Sequence, residues 1–188
     1  MTERLRAVLM ALLSALALPA GADDFLWKRL ATEPDLVVLM RHTQPAGGNP
    51  LAWDVSGRCE GESMLTAEGR AHAKRIGDAF SARGIRPTVI SSPMCRCRDT
   101  ARIAFGGEPS TDGELREVAN ADAERMNAFE RKAQALIAAR RGAAPIVFVS
   151  HRPNIDRLTL ELIDSGELLV GRAGAGGEID VLGKIAIP

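Results

Sequence analysis

The chain has 188 residues, with 24 lysines and arginines against 24 aspartates and glutamates, 3 histidines, 3 cysteines and no tyrosine. That charge balance excludes the basic footprint of a nucleic-acid binder, and no aromatic cluster is interleaved with positive charge. Without an amino-terminal export segment, 166 residues remain (188 less 22); they suit one domain with a sizeable core, and neither repeats nor low-complexity linkers divide them.

Arg4 and Arg6 open the chain with positive charge, Ala7 to Leu18 is apolar, and Ala20-Gly21-Ala22 forms an A-x-A site before Asp23. This is the pattern of a secretory signal peptide. The apolar stretch is too short for a bilayer-spanning helix, which needs about 20 residues. The first cysteine, Cys59, lies too far along for a lipoprotein anchor. Residues 1–22 are therefore expected to be a cleaved signal and 23–188 a domain without a membrane span, periplasmic or secreted.

Within that domain, strand-like and helix-like segments alternate. Leu36 to Met40 reads as a buried strand that runs into Arg41, His42 and Thr43. A Gly- and Pro-rich loop from Thr43 to Met64 follows. Thr66 is the expected N-cap of a helix with Ala73, Ile76, Gly77 and Phe80 on its buried face and Gly84 at its end. Pro87 to Ile90 is a second strand, leading through Ser91-Ser92-Pro93 into a helix from about Arg96 to Phe105. A third helix, about Ala121 to Arg141, turns Phe129, Ala133, Leu136 and Ile137 to one side. Ile146 to Val149 is a third strand, ending at Ser150-His151, and Pro153 opens a helix to about Ile163. Gly166 to Gly171 and Glu178 to Ile187 read as a hairpin across the Gly-rich Ala173 to Gly177. The expected fold is α/β, a single three-layer domain whose mostly parallel sheet carries helices on both faces and a C-terminal β-hairpin.

Two of the three histidines thus follow directly on strand ends. Open α/β sheets place their ligand crevice outside the carboxyl ends of the strands, so His42 and His151 are expected to share one site. Taken together, the Arg41-His42 strand end, the S-S-P-x-x-R-x-x-x-T-A segment from Ser91 to Ala101 and the late strand-then-His151 resemble the histidine phosphatase superfamily, the phosphoglycerate-mutase-like and acid-phosphatase group. The resemblance runs from residue 35 to about 187.

It implies a phosphomonoester hydrolase, with a small-molecule or glycan phosphomonoester as partner and no cofactor. His42 would be the nucleophile that takes the phosphoryl group, splitting one displacement into two easier ones. Arg41, Arg96 and His151 would hold phosphate oxygens, for which guanidinium forks are suited. Arg98 competes with Arg96, but the spacing from Ser92-Pro93 favours Arg96. His72, mid-helix without a partner motif, reads as structural or exposed.

The chain departs from the family pattern at two positions. Thr43 stands where a glycine is usual, and its hydroxyl would either touch phosphate or pack. Arg152 follows His151, where the acid-phosphatase branch has its aspartate proton donor. The mutase-like branch has a glutamate in an L-x-E segment, matched in form by Leu115-Arg116-Glu117. Glu117 is the candidate acid, with Asp112, Glu114 and the loop carboxylates Asp54, Glu60 and Glu62 as alternatives. The rival reading is a phospho-ligand binding protein, or a catalytically weak relative, that keeps the pocket and loses turnover with the acid. Acid-labile phosphate on His42 together with phosphate release separates the two.

Cys59, Cys95 and Cys97 complete the inventory. The last two stand too close in sequence to bridge without strain, so in an oxidising compartment a disulfide would join Cys59 to one of them and leave one thiol over. C-x-C with a distant cysteine lacks the paired spacing of structural zinc sites, and the motifs contain no three-ligand metal set. Substrate identity and oligomeric state are not encoded in any of these patterns.

Overall fold

The apolar run after Asp35 forms the central strand β1 (Leu36–Arg41), and the later run forms β6 (Ile146–Ser150), paired in parallel with Arg41 opposite Ser150. The computed structural model describes residues 22–139, 142 and 144–188. All of the expected signal segment except Ala22 therefore lies outside the described residues. β4 (Thr88–Ser91) joins the other edge of β6 in parallel, and the short β5 (Ser110–Thr111) extends β4. On the far side of β1, β7 (Leu168–Ala173) and β8 (Ile179–Ile185) run antiparallel. The sheet order is β5-β4-β6-β1-β7-β8, and the expected C-terminal hairpin supplies its two antiparallel strands.

Side chains alternate across each strand with a period of two, and the core divides accordingly. Val38, Met40, Val147 and Val149 face a layer built from α1 (Ala22–Thr32), α2 (Ala67–Ala82) and α3 (Cys95–Phe105). Val37, Leu39, Ile146 and Phe148 face α4 (Ala123–Ala139) and α5 (Arg152–Thr159). Helices thus cover both faces, in agreement with the alternating sequence pattern. The Thr66 hydroxyl accepts from Gly69 N–H at 2.8 Å and caps α2, which buries Ala73, Ile76, Gly77 and Phe80. A Cβ on Gly77 would lie 2.1 Å from the Ala104 carbonyl oxygen, so the glycine is what lets α2 and α3 approach closely.

Several elements differ from the sequence reading, among them β5 and a 3-10 turn at Gly113–Leu115, which fall between the expected second and third helices. Helix α1 is not among the expected elements; Asp23 and Asp24 in its first turn suit the positive end of the helix dipole, and Leu26, Trp27 and Leu30 bury themselves in the core. Helix α5 stops at Thr159 instead of Ile163, because Leu160 takes a left-handed conformation at φ 60° and terminates it. The 43–64 segment is closed at its ends by β2 (Pro45–Ala46) paired with β3 (Met64–Leu65).

That loop is also tied to α3. Cys59 is disulfide-bonded to Cys95, the first residue of the helix, while Cys97 is free and buried. The Glu62 carboxylate accepts from the Cys95 N–H at 2.7 Å and from the Asp54 N–H at 2.8 Å, satisfying a donor that the helix start leaves open.

Candidate active site

Parallel register brings the motifs together. With Arg41 opposite Ser150 and Ser91 opposite Val149, β1, β6 and β4 end at one rim, and His42, His151 and Ser92 leave the sheet there side by side. The rings of His42 and His151 lie 5.4 Å apart, centre to centre.

Arg96 bridges them. Its side chain, 1% exposed, enters from the first turn of α3; Nε donates to His42 Nε2 at 3.2 Å, and one terminal nitrogen lies 3.0 Å from His151 Nδ1. The same nitrogen reaches the Pro50 carbonyl at 2.9 Å and Glu117 Oε2 at 2.5 Å. Burying a guanidinium without partners is costly, and these acceptors offset much of that cost. Among the described residues the other terminal nitrogen of Arg96 is buried without a partner, as is Nε of Arg41. The Arg41 side chain is otherwise held, among the described residues, by a 3.4 Å bond to the Ile163 carbonyl. Two unspent guanidinium donors beside two histidines make a site that selects oxygen acceptors carrying negative charge.

The histidine rings are held neutral. Burial, and then the charges of Arg96 and Arg41, push the His42 imidazole down to about 3, against the opposing hydrogen bond to the Thr43 carbonyl. That bond, 2.9 Å from Nδ1, requires the proton on Nδ1 and leaves the lone pair on Nε2, toward Arg96. His151, fully buried, is lowered further by burial and by Arg96. Its Nε2 meets the Ser92 hydroxyl at 2.8 Å, a contact that fits an Nε2–H donor and an Nδ1 acceptor.

Glu117 is the only one of the six candidate carboxylates with a recorded contact to these groups among the described residues, its Oε2 lying 3.7 Å from His151 Nδ1. Desolvation raises its pKa, and the charges of Arg96 and Arg41 only partly counter this. Four of the five alternatives are engaged elsewhere. Asp112 pairs with Lys132, Glu60 with Arg58, Asp54 with the Ser56 hydroxyl and nearby N–H groups, and Glu62 with the start of α3.

Other residues singled out in the sequence take their places around the site. Thr43 is fully buried, and its N–H and hydroxyl both meet the Thr100 hydroxyl at 3.2 Å. Arg98 turns away toward the Gly57 carbonyl. His72 bonds the Ile187 carbonyl at 2.7 Å and has a structural place. The Cys97 thiol touches His151 Nε2 at 3.5 Å, and burial pushes it up to about 12, which keeps it an inert thiol. Ser92 and Thr100, both hydrogen-bonded at the centre, lie within the S-S-P and T-A motifs, but nothing in the sequence marks their hydroxyls as structural partners of the site.

A family model for the histidine phosphatase superfamily, branch 1, matches residues 37–147. The chain belongs to the histidine phosphatase superfamily. No curated protein matches it. Among solved structures it is similar to TTHB049 of Thermus thermophilus, at 22% identity over 81% of this chain and 99% of that one, with a TM-score of 0.58. A phosphoglycerate mutase of the same organism gives the same identity, coverage and score. The protein histidine phosphatase SixA complexed with tungstate is 18% identical over 80% of this chain and 96% of that one, with a TM-score of 0.57. At these identities the likenesses establish the shared histidine phosphatase fold.

Proposed function

We propose that the chain is an exported, metal-independent phosphomonoester hydrolase that works through a phosphohistidine on His42. The observation that carries the reading is the arrangement around Arg96: one buried guanidinium touching both histidine rings and Glu117, with an unspent donor of its own. Membership of the superfamily supports the same chemistry.

Arg41 and Arg96 bind the phosphate oxygens and oppose the charge that gathers on them during transfer, and His151 joins them through Nδ1 once its proton moves there and the Ser92 hydroxyl donates to Nε2 in its place. The neutral Nε2 of His42 attacks phosphorus, and the bond from phosphorus to the leaving oxygen breaks. Glu117, its pKa raised by desolvation, gives that oxygen its proton. The resulting carboxylate then takes a proton from water, whose oxygen attacks the phosphohistidine and frees inorganic phosphate. Thr43 braces α3 through Thr100 and needs no part in the chemistry.

Export is supported by the n-region, apolar stretch and A-x-A site. Cleavage before Asp23 would leave both first-turn acids of α1 in the mature protein, and the Cys59–Cys95 bond suits an oxidising compartment. Incubation of the mature protein with a phosphate-labelled monoester should leave acid-labile phosphate on His42 and release free phosphate, and His42→Ala should do neither. Hydrolysis by His42→Ala at the wild-type rate would overturn the mechanism; bound phosphate without release would make the protein a binder.

A further inference from the structure

We propose that Asn154 is a positioning residue that holds Glu117 in place for proton transfer, an inference that rests on the reading of Glu117 as the acid. Asn154 is fully buried, in the first turn of α5, three residues past His151. Its Oδ1 accepts from the Val118 N–H at 3.0 Å, while Nδ2 donates to the carbonyls of Arg116 at 3.1 Å and Leu115 at 3.4 Å. A single side-chain amide therefore grips the backbone on both sides of Glu117.

That segment needs an outside partner. Gly113–Leu115 is one turn of 3-10 helix, and the chain then runs irregularly to α4, so its backbone groups have no ladder of their own. Among the described residues the Glu117 N–H itself finds the Met94 sulfur, a weak acceptor, at 3.4 Å. The other brace recorded on this stretch is Arg125, which donates to the Arg116 carbonyl at 3.1 Å. An amide is what these three groups demand: one N–H asks for an acceptor, two carbonyls ask for a donor, and only one orientation of the amide serves all three. A carboxylate would set an oxygen against two carbonyls, and an apolar residue would take the partner from the Val118 N–H and the Leu115 carbonyl and leave the Arg116 carbonyl to Arg125.

The placement also couples the two ends of the site. His151 is the residue preceding the first turn of α5 and Asn154 lies within that turn. The turn that fixes the phosphate-facing imidazole therefore also fixes the loop bearing the acid, which sets the 3.7 Å separation between Glu117 and His151.

The test compares an alkyl phosphate such as glycerol 2-phosphate, whose leaving oxygen needs a proton, with p-nitrophenyl phosphate, whose leaving group does not. Wild type, Asn154→Ala, Glu117→Gln and the double variant are assayed on both. Asn154→Ala should lower kcat for the alkyl phosphate at least about tenfold more than for the aryl one. The double variant should be no slower on the alkyl phosphate than Glu117→Gln alone, because a residue acting through Glu117 has nothing left to position. Asn154→Asp keeps the side-chain volume and the acceptor for Val118; it should show the same discrimination at pH 7 if the alanine variant does not fold. Equal losses on both substrates, or multiplying losses in the double variant, would reduce Asn154 to a packing role. If Glu117→Gln itself treats the two substrates alike, the acid assignment falls with it; if only Asn154→Ala does, positioning alone is refuted.

Discussion

Acidification should destabilise this protein through the same residue proposed to carry the phosphoryl group. His42 titrates at 6.5 in an unfolded chain and at about 3 in the folded one, so between those values the unfolded state binds a proton that the native state refuses. Stability therefore rises with pH across this window and is lost as pH falls from 6.5 toward 3. At pH 5 the unfolded histidine is about 1.5 units below its midpoint, which at about 1.4 kcal/mol per unit gives a loss of about 2 kcal/mol relative to neutral pH. His151, lowered in the same direction, adds to it. Urea unfolding at pH 7 and pH 5 in phosphate-free buffer, on wild type and His42→Asn, isolates the term because the carboxylates are common to both proteins. The wild type should lose about 2 kcal/mol more than the variant. Parallel losses would mean that His42 is not held neutral by burial and the two guanidinium charges. Turnover by wild type should then also fall as pH drops through 6.5, where a neutral nucleophile predicts no such limb.

Arg96→Ala should lower turnover and phosphoryl labelling about 10²- to 10³-fold, as expected for one lost charge-stabilising donor, and near-wild-type kinetics would refute its bridging role. Activity should survive dialysis against EDTA, since no group of three or more potential ligand side chains occurs among the described residues; loss restored by a divalent ion would place the chemistry in another class. Cys59→Ser should cost about 4 kcal/mol in urea unfolding, because the bond closes a separation of 36 residues, and equal midpoints would show that the loop is held without it. The same variant should raise KM, since the loop carries the Pro50 carbonyl that Arg96 bonds.

What the sequence determined by itself is what depends on local pattern. Apolar runs of strand length, a threonine before a periodic helix and histidines directly after strand ends define the α/β order and mark Arg41, His42 and His151, because such signals need only near neighbours in the chain, while Arg96 is marked by the S-S-P-x-x-R segment that resembles the superfamily. Helix α1 carries a signal too, Asp23 and Asp24 before Leu26, Trp27 and Leu30, but its contacts lie with distant strands, and a short helix draws its stability from such packing. Leu160 ends α5 early through a backbone conformation that no leucine announces.

Tertiary structure alone selected among equivalents. Of six candidate carboxylates for the acid, the fold brings Glu117 to Arg96, and burial raises its pKa. Cys95 and Cys97 are equivalent in sequence as partners for Cys59, and the helical turn directs Cys95 to the loop while Cys97 faces the core and His151. The unspent donors of Arg41 and Arg96, the neutral state of His42 and the three-way bonding of Asn154 arise from groups brought together across as many as 122 positions in the chain, as for Arg41 and Ile163. Electrostatic coupling and desolvation act through space, so they have no trace in sequence spacing until the chain is folded.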